Sequence, residues 1–152
     1  MKPFDEYPGA GRDLIGPLKC SGGSKHGYGL DLQRRTGQTK CAYCGVSLVH
    51  DYHQWLLMSV DHVVPVADAA AMGVPMEFRQ DAINHVLCCS ACNALSTGYE
   101  LPDGLQKKRQ FSRLEDFVEL RDEVFADRCS LIAERRAEDV VLFNSRPWQK
   151  AA

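Results

Sequence analysis

Two Cys-x-x-Cys pairs, Cys41/Cys44 and Cys89/Cys92, constrain this chain more than any other feature of its sequence. Two intervening residues let both thiolates of a pair turn toward one ion, and two such pairs complete the closed tetrahedral set of a structural zinc site. The segment between the pairs is then a loop closed by the metal, and the binding energy of the ion becomes folding energy. Seven cysteines in 152 residues is an odd count. A secreted disulfide scaffold is shorter and usually even-numbered, and a redox dithiol sits in a βαβ context that the first pair lacks. Zn²⁺ is therefore the expected occupant. Cys89, not Cys88, keeps the two-residue spacing to Cys92, so Cys88 is assigned to the core. Cys129 falls on a long predicted helix, and Cys20 is isolated. Four closed thiolates leave no open coordination position, so the zinc holds the fold and any chemistry lies elsewhere.

The length of 152 residues, with 45% hydrophobic and 25% charged positions, is that of one soluble globular domain. No apolar stretch approaches the roughly 20 residues needed to cross a bilayer. The opening run Met1-Lys2-Pro3-Phe4-Asp5-Glu6 lacks the apolar segment of a signal peptide. The expectation is a cytoplasmic protein with no membrane partner. A net charge of −2 excludes a broad basic surface, so any nucleic-acid contact has to come from local patches. Two such patches are present: Arg34-Arg35 with Lys40, and Lys107-Lys108-Arg109 with Arg113. Each fits a phosphate contact or a solvated charged face equally well.

Along the chain, residues 1–25 are rich in Gly and Pro and read as an irregular N-terminal arm. Residues 28–38 predict a short helix closed by Gly37. Residues 46–49 and 55–61 predict two strands paired as a hairpin across His50-Asp51-Tyr52-His53. A helical turn is expected over 67–72, and a helix over 90–97 with Ser90 as N-cap. Ser112 and Glu115 have the spacing of a capping box. After them Leu114, Phe117, Val118, Val124, Phe125, Leu131 and Ile132 recur at helical spacing, predicting one long helix over about 113–141. The expected organisation is an arm (1–25), a core (26–100) and a helical extension (101–152).

Between the cysteine pairs lies Ser59-Val60-Asp61-His62-Val63-Val64-Pro65, followed by Asn84-His85-Val86-Leu87-Cys88-Cys89-Ser90-Ala91-Cys92-Asn93. This arrangement resembles the HNH endonucleases, the ββα-metal or His-Me finger nucleases, in their four-cysteine form. The matching block covers about 41–97, a little over a third of the chain. The resemblance implies an α+β fold, a zinc-stapled ββα-metal core, here with a long C-terminal helix added. It implies hydrolysis of DNA phosphodiester bonds, with double-stranded DNA as partner and Mg²⁺ or Mn²⁺ as catalytic ion. Carried over by position, His62 is the general base, Asp61 and Asn93 hold the catalytic metal, and Asn84 braces the loop behind the base.

The chemistry is coherent without the family name. Phosphodiester cleavage needs a base for water and a cation to neutralise charge growing on the phosphate. Neutral imidazole is a natural base near pH 7, and hard cations take oxygen donors such as a carboxylate or an amide. One departure stands out: many family members carry a lysine three residues after the final His or Asn, and here that position is Ser96. Lys107, Lys108 and Arg109 are the basic residues available to replace it. Neighbours on a regular strand point to opposite faces, so Asp61 and His62 converge only if the strand breaks before Pro65. His26, His50, His53 and His85 fit no motif position. The alternative function is a non-catalytic, zinc-stabilised nucleic-acid-binding module. The length of the last helix also allows a homodimer.

Overall fold

The computed structural model describes residues 3–20, 26–107 and 109–146. Within them the architecture is mixed helix and strand. Six α-helices run α1 (Gly27–Thr36), α2 (Tyr52–Leu56), α3 (Val66–Ala71), α4 (Met76–Arg79), α5 (Ser90–Leu95) and α6 (Leu114–Ser145). Two strands, β1 (Met58–His62) and β2 (His85–Cys89), form the sheet, and three short 3-10 turns complete the order.

The sheet is antiparallel, pairing Met58 with Cys89, Val60 with Leu87 and His62 with His85. All five residues of β2 are buried, as expected of a short apolar run serving as a core strand. The partner of β2 is therefore β1, and the hairpin expected between 46–49 and 55–61 does not form. Its physical reason lies at Asp51, whose side chain accepts from the Gln54 backbone N–H at 2.9 Å and caps α2. The stretch Tyr52-His53-Gln54-Trp55-Leu56 contains no β-branched residue, so helix wins locally and the strand starts only at Met58. Residues 46–49 contribute a single bridge, Ser47 to Lys40, while Leu48 points into the core.

The outer edge of β2 is closed by one side chain rather than a third strand. Gln38 accepts from the Leu87 N–H at 2.9 Å, donates to the Leu87 carbonyl at 3.0 Å and donates to the Lys40 carbonyl at 2.9 Å. The hydroxyl of Tyr7 also donates to Gln38 at 3.0 Å. A primary amide carries both a donor and an acceptor, so it satisfies an edge residue as a neighbouring peptide would. Above the sheet lies α1, ended by Gly37 in the left-handed region with φ of 73°. A Cβ at Gly29 would meet Met58 Cε at 2.7 Å, so α1 rests on β1 closely enough that the movable end of Met58 would have to shift for any larger residue there.

The N-terminal arm is more ordered than its composition implies. Residues 3–11 form two 3-10 turns that bury Phe4 and Tyr7. Asp81 accepts from the N–H groups of Ile15 and Gly16 at 3.1 and 2.7 Å, and Arg121 reaches the Gly11 carbonyl at 2.7 Å. The long helix runs to Ser145, beyond the expected end, and its cap lies one residue later than the capping-box spacing suggested: the Arg113 N–H donates to Asp116 at 3.0 Å. Its buried residues are Phe117, Val118, Leu120, Arg121, Val124, Phe125, Arg128 and Ile132. The helix over 90–97 is shorter than expected, and Cys89 rather than Ser90 caps it, its sulfur accepting from the Cys92 N–H at 3.4 Å.

Removing the Gln38 amide strands the buried N–H of Leu87, while the Leu87 carbonyl keeps the Ala42 N–H. Gln38→Ala should lower the unfolding free energy by about 2–4 kcal/mol, with the urea m-value unchanged. A midpoint shift worth less than about 0.5 kcal/mol would show that water satisfies this edge instead.

Candidate functional site

The four cysteines of the two pairs meet, their sulfur atoms all lying within 4.8 Å of one another. Cys44 and Cys89 Sγ are 3.8 Å apart. Four sulfurs at about 2.3 Å from a central zinc would be separated by roughly 3.8 Å, so the cluster has the dimensions such an ion requires. Cys41 and Cys44 come from the turn following Gln38, and Cys89 and Cys92 from the β2–α5 junction. Burial pushes the Cys41 thiol up to about 11, against the hydrogen bonds of the Cys89, Cys44 and Tyr43 backbone, and burial raises Cys92 as well. A bound cation supplies the charge that lets such thiols ionise. Arg136, on α6, donates to Cys92 Sγ at 3.5 Å, a second positive group beside a site that carries excess negative charge when metallated.

The strand β1 leads from this staple to Asp61 and His62. Because β1 remains regular through His62, the two side chains occupy opposite faces of the strand. Asp61 turns toward α6. Its Oδ2 pairs with Arg128 at 2.6 Å and accepts from the Tyr43 hydroxyl at 2.6 Å. Arg128 is almost wholly buried. Its guanidinium also donates to the carbonyls of His62 and Val63 and, at 3.0 Å, to Ser96 Oγ. It lies over the rings of Tyr43 and Tyr99, 5.6 and 5.4 Å from their centroids. Ser96 is thus bonded to an arginine far along the chain.

His62 is exposed at the end of β1. Desolvation by its neighbours holds its pKa below the usual value, the Arg128 charge adds to the effect, and Asp61 opposes it. The ring is thus neutral near pH 7. His85 faces it across the strand pair with ring centroids 4.2 Å apart. Burial, with a smaller contribution from His62, pushes His85 down to about 4. Directly behind His62, the buried Asn84 accepts from the Val64 N–H at 3.0 Å and donates to the Val64 and Arg79 carbonyls, each at 3.0 Å. The Val63 N–H donates to the Asn84 carbonyl at 2.8 Å. Three of these hydrogen bonds fasten the backbone that follows the imidazole, and the fourth ties Asn84 to Arg79.

Asn93 lies on α5, one residue past the last cysteine, in a cleft shared with Ser59, Met58 and Tyr28. Ser59 and Asp61 lie on the same face of β1, and Ser96, one turn after Asn93, is joined through Arg128 to Asp61. That cleft is also lined by Val60 and Gly29, so Asn93 borders residues from both faces of β1, Ser59 on the face of Asp61 and Met58 and Val60 on the face of His62. Of the basic residues, Arg34, Lys40 and Lys107 are exposed. Arg35 pairs with Asp31 at 2.9 Å and donates to the Ile15 carbonyl at 2.8 Å. Arg109 pairs with Glu123 at 2.6 Å, and Lys108 lies outside the described residues, as does Trp148. Arg128, Arg136 and His85 belong to no motif; the one trace of Arg128 in the sequence is an arginine in line with Phe117, Arg121, Val124 and Ile132 on an otherwise apolar helical face.

Comparison with protein-family models, with curated proteins and with solved structures returned no significant match. No helix among the described residues is long and apolar enough to cross a membrane.

Metal analysis should find one zinc per chain, and Cys92→Ser should lose it together with most of the cooperative thermal transition. Retention of zinc and of the transition temperature in that variant would remove the cluster from the fold's foundations.

Acid should destabilise the protein through His85. The unfolded ring takes a proton near its ordinary pKa of about 6.5, whereas the folded ring resists until about 4. Between these values the unfolded state binds more protons, so this stabilisation is complete above the upper value and lost as pH falls through the window. In urea melts from pH 7 to pH 4, wild type should lose roughly 2–3 kcal/mol more than His85→Phe. Parallel slopes would show that His85 does not titrate in this way.

Proposed function

We propose that this chain is a metal-dependent endonuclease of the HNH type that hydrolyses phosphodiester bonds in double-stranded DNA. The observation that carries this reading is the backbone clamp of Asn84 immediately behind His62. Three hydrogen bonds on residues 63 and 64, with a fourth tying Asn84 to Arg79, hold the backbone directly after one exposed, neutral imidazole. A base for water has to be held in this way, because catalytic power falls steeply with misplacement.

In this reading His62 takes the proton of the attacking water. Asp61 Oδ1 and the Asn93 side-chain amide are the oxygen donors that would hold Mg²⁺ or Mn²⁺; neither has a hydrogen-bond partner among the described residues. Such an ion, when bound, supplies the positive charge that offsets negative charge growing on the phosphate. Arg128 holds the other Asp61 oxygen and the carbonyls of residues 62 and 63, so it sets the position of both the carboxylate and the strand end. Arg34, Lys40 and Lys107 remain exposed for phosphate contacts, giving binding that weakens with salt.

A second reading, a zinc-stabilised nucleic-acid-binding module without catalysis, is favoured by one specific observation. Asp61 is already paired with a buried arginine at 2.6 Å, an arrangement that lowers its need for a metal.

Supercoiled plasmid separates the two. Wild type with Mg²⁺ or Mn²⁺ should nick or linearise it, and His62→Ala should slow the reaction at least about 100-fold. Plasmid left intact by wild type with every divalent metal, together with retention on DNA in a gel-shift assay, would establish the binding module instead.

A further inference from the structure

His85 has no part in the chemistry described so far, yet it sits against His62, the base of the proposed reaction. His62 and His85 are opposite one another in the antiparallel register. Both line a cleft of about 390 Å³, which Tyr28, Leu18 and Gln80 also border. The rings are tilted by 50° with centroids 4.2 Å apart. His85 Nδ1 lies 2.9 Å from the Asp81 carbonyl oxygen. A carbonyl only accepts, so Nδ1 carries the proton and Nε2 keeps its lone pair. The Tyr7 hydroxyl donates to the His85 carbonyl at 2.8 Å, holding the backbone beneath the ring. Among the described residues no hydrogen bond joins the two rings.

We propose that His62 and His85 form a two-imidazole site for a late first-row transition-metal ion, with Ni²⁺ or Cu²⁺ fitted better than Zn²⁺. A metal–nitrogen distance of about 2.1 Å places each ring centroid roughly 3.2 Å from a shared ion. A right-angled pair of ligands then has centroids about 4.5 Å apart, and a tetrahedral pair about 5.2 Å. The observed 4.2 Å is close to the first and well short of the second. Square or octahedral coordination, natural to Ni²⁺ and Cu²⁺, uses right angles, whereas zinc prefers the wider tetrahedral one. The Asp81 carbonyl supplies the outer hydrogen bond that orients a ligating histidine and fixes its tautomer. Water and the Gln80 amide oxygen are the groups in the cleft that could complete the coordination. Mg²⁺, which takes oxygen ligands, is not drawn to this pair. On the nuclease reading, an ion held here occupies the lone pair that His62 needs for water, so the same site inhibits cleavage.

The test titrates Ni²⁺ into the zinc-loaded full-length protein by calorimetry, with zinc content measured before and after. Wild type should bind one Ni²⁺ without releasing zinc. His62→Phe and His85→Phe should each weaken it at least tenfold, and the double change His50→Ala/His53→Ala, at two exposed histidines, should not. His62 is exposed, so His62→Phe keeps the test decisive if His85→Phe fails to fold. Equal Ni²⁺ affinity in wild type and His62→Phe, binding lost instead in the His50/His53 variant, or no binding by wild type would each overturn the proposal. In the plasmid assay, stoichiometric Ni²⁺ should suppress Mg²⁺-dependent nicking. Absence of nicking altogether counts against the nuclease reading, while the titration still decides this site.

Discussion

Four sulfur atoms from two distant segments have to meet within a few ångströms, and most of the structure follows from that requirement. Cys41 and Cys44 bring the turn after Gln38 against the junction of β2 and α5, where Cys89 and Cys92 lie. That placement puts Gln38 beside the open edge of Leu87 and the Ala42 N–H 2.9 Å from the Leu87 carbonyl. A two-stranded sheet is marginal by itself in water. Here one edge is satisfied by a side chain and a turn that the cysteine cluster holds in place. Residues 45–88 become a closed loop, and β1 and Asn84 are both inside it.

The second organising element is α6, which acts through arginines as much as through apolar packing. Arg121 is buried over the Phe4 ring, 3.7 Å from its centroid, and donates to the carbonyls of Gly11 and Ile83. Arg128 gathers the strand end, Ser96 and Asp61. Arg135 reaches the Leu95 and Thr97 carbonyls and Arg136 reaches Cys92. A buried guanidinium is costly unless its donors are met, and its flat fork suits several carbonyls at once. These arginines therefore tie the N-terminal arm, the strand end and the cysteine cluster to one rod. The geometry around Asp61 depends on a helix outside the segment that carries the motif.

Parts of the site were legible in the sequence to different depths. The cysteine cluster was readable in full, because two-residue spacing is a local geometric property of each pair. Asn84 was readable as a residue bracing the segment after His62, and its hydrogen bonds run to the backbone there. The relation between Asp61 and His62 was readable only as a condition: two neighbours converge if the strand breaks, and here it does not. The strand partner of β1 was misjudged, since Asp51 capping outweighed the bulky apolar residues after it. Composition also misled at the N-terminus, where glycines and prolines accompany two buried aromatic anchors, Phe4 and Tyr7.

By itself the sequence determined which residues could share a metal, that a long helix starts near residue 113, and that the core is mixed helix and strand. These properties rest on spacing, capping and periodicity, which act over a few residues. Only the tertiary structure decided that Arg128 holds Asp61, that Gln38 stands in for a strand, and that His85 lies against His62. Each of these joins groups from separate segments; the first two are selected by the need to satisfy buried polar atoms, and the third by the register of β1 on β2, whose pairing meets the same need in the backbone. No pattern along the chain encodes that need, because it arises only once the surrounding water has been excluded.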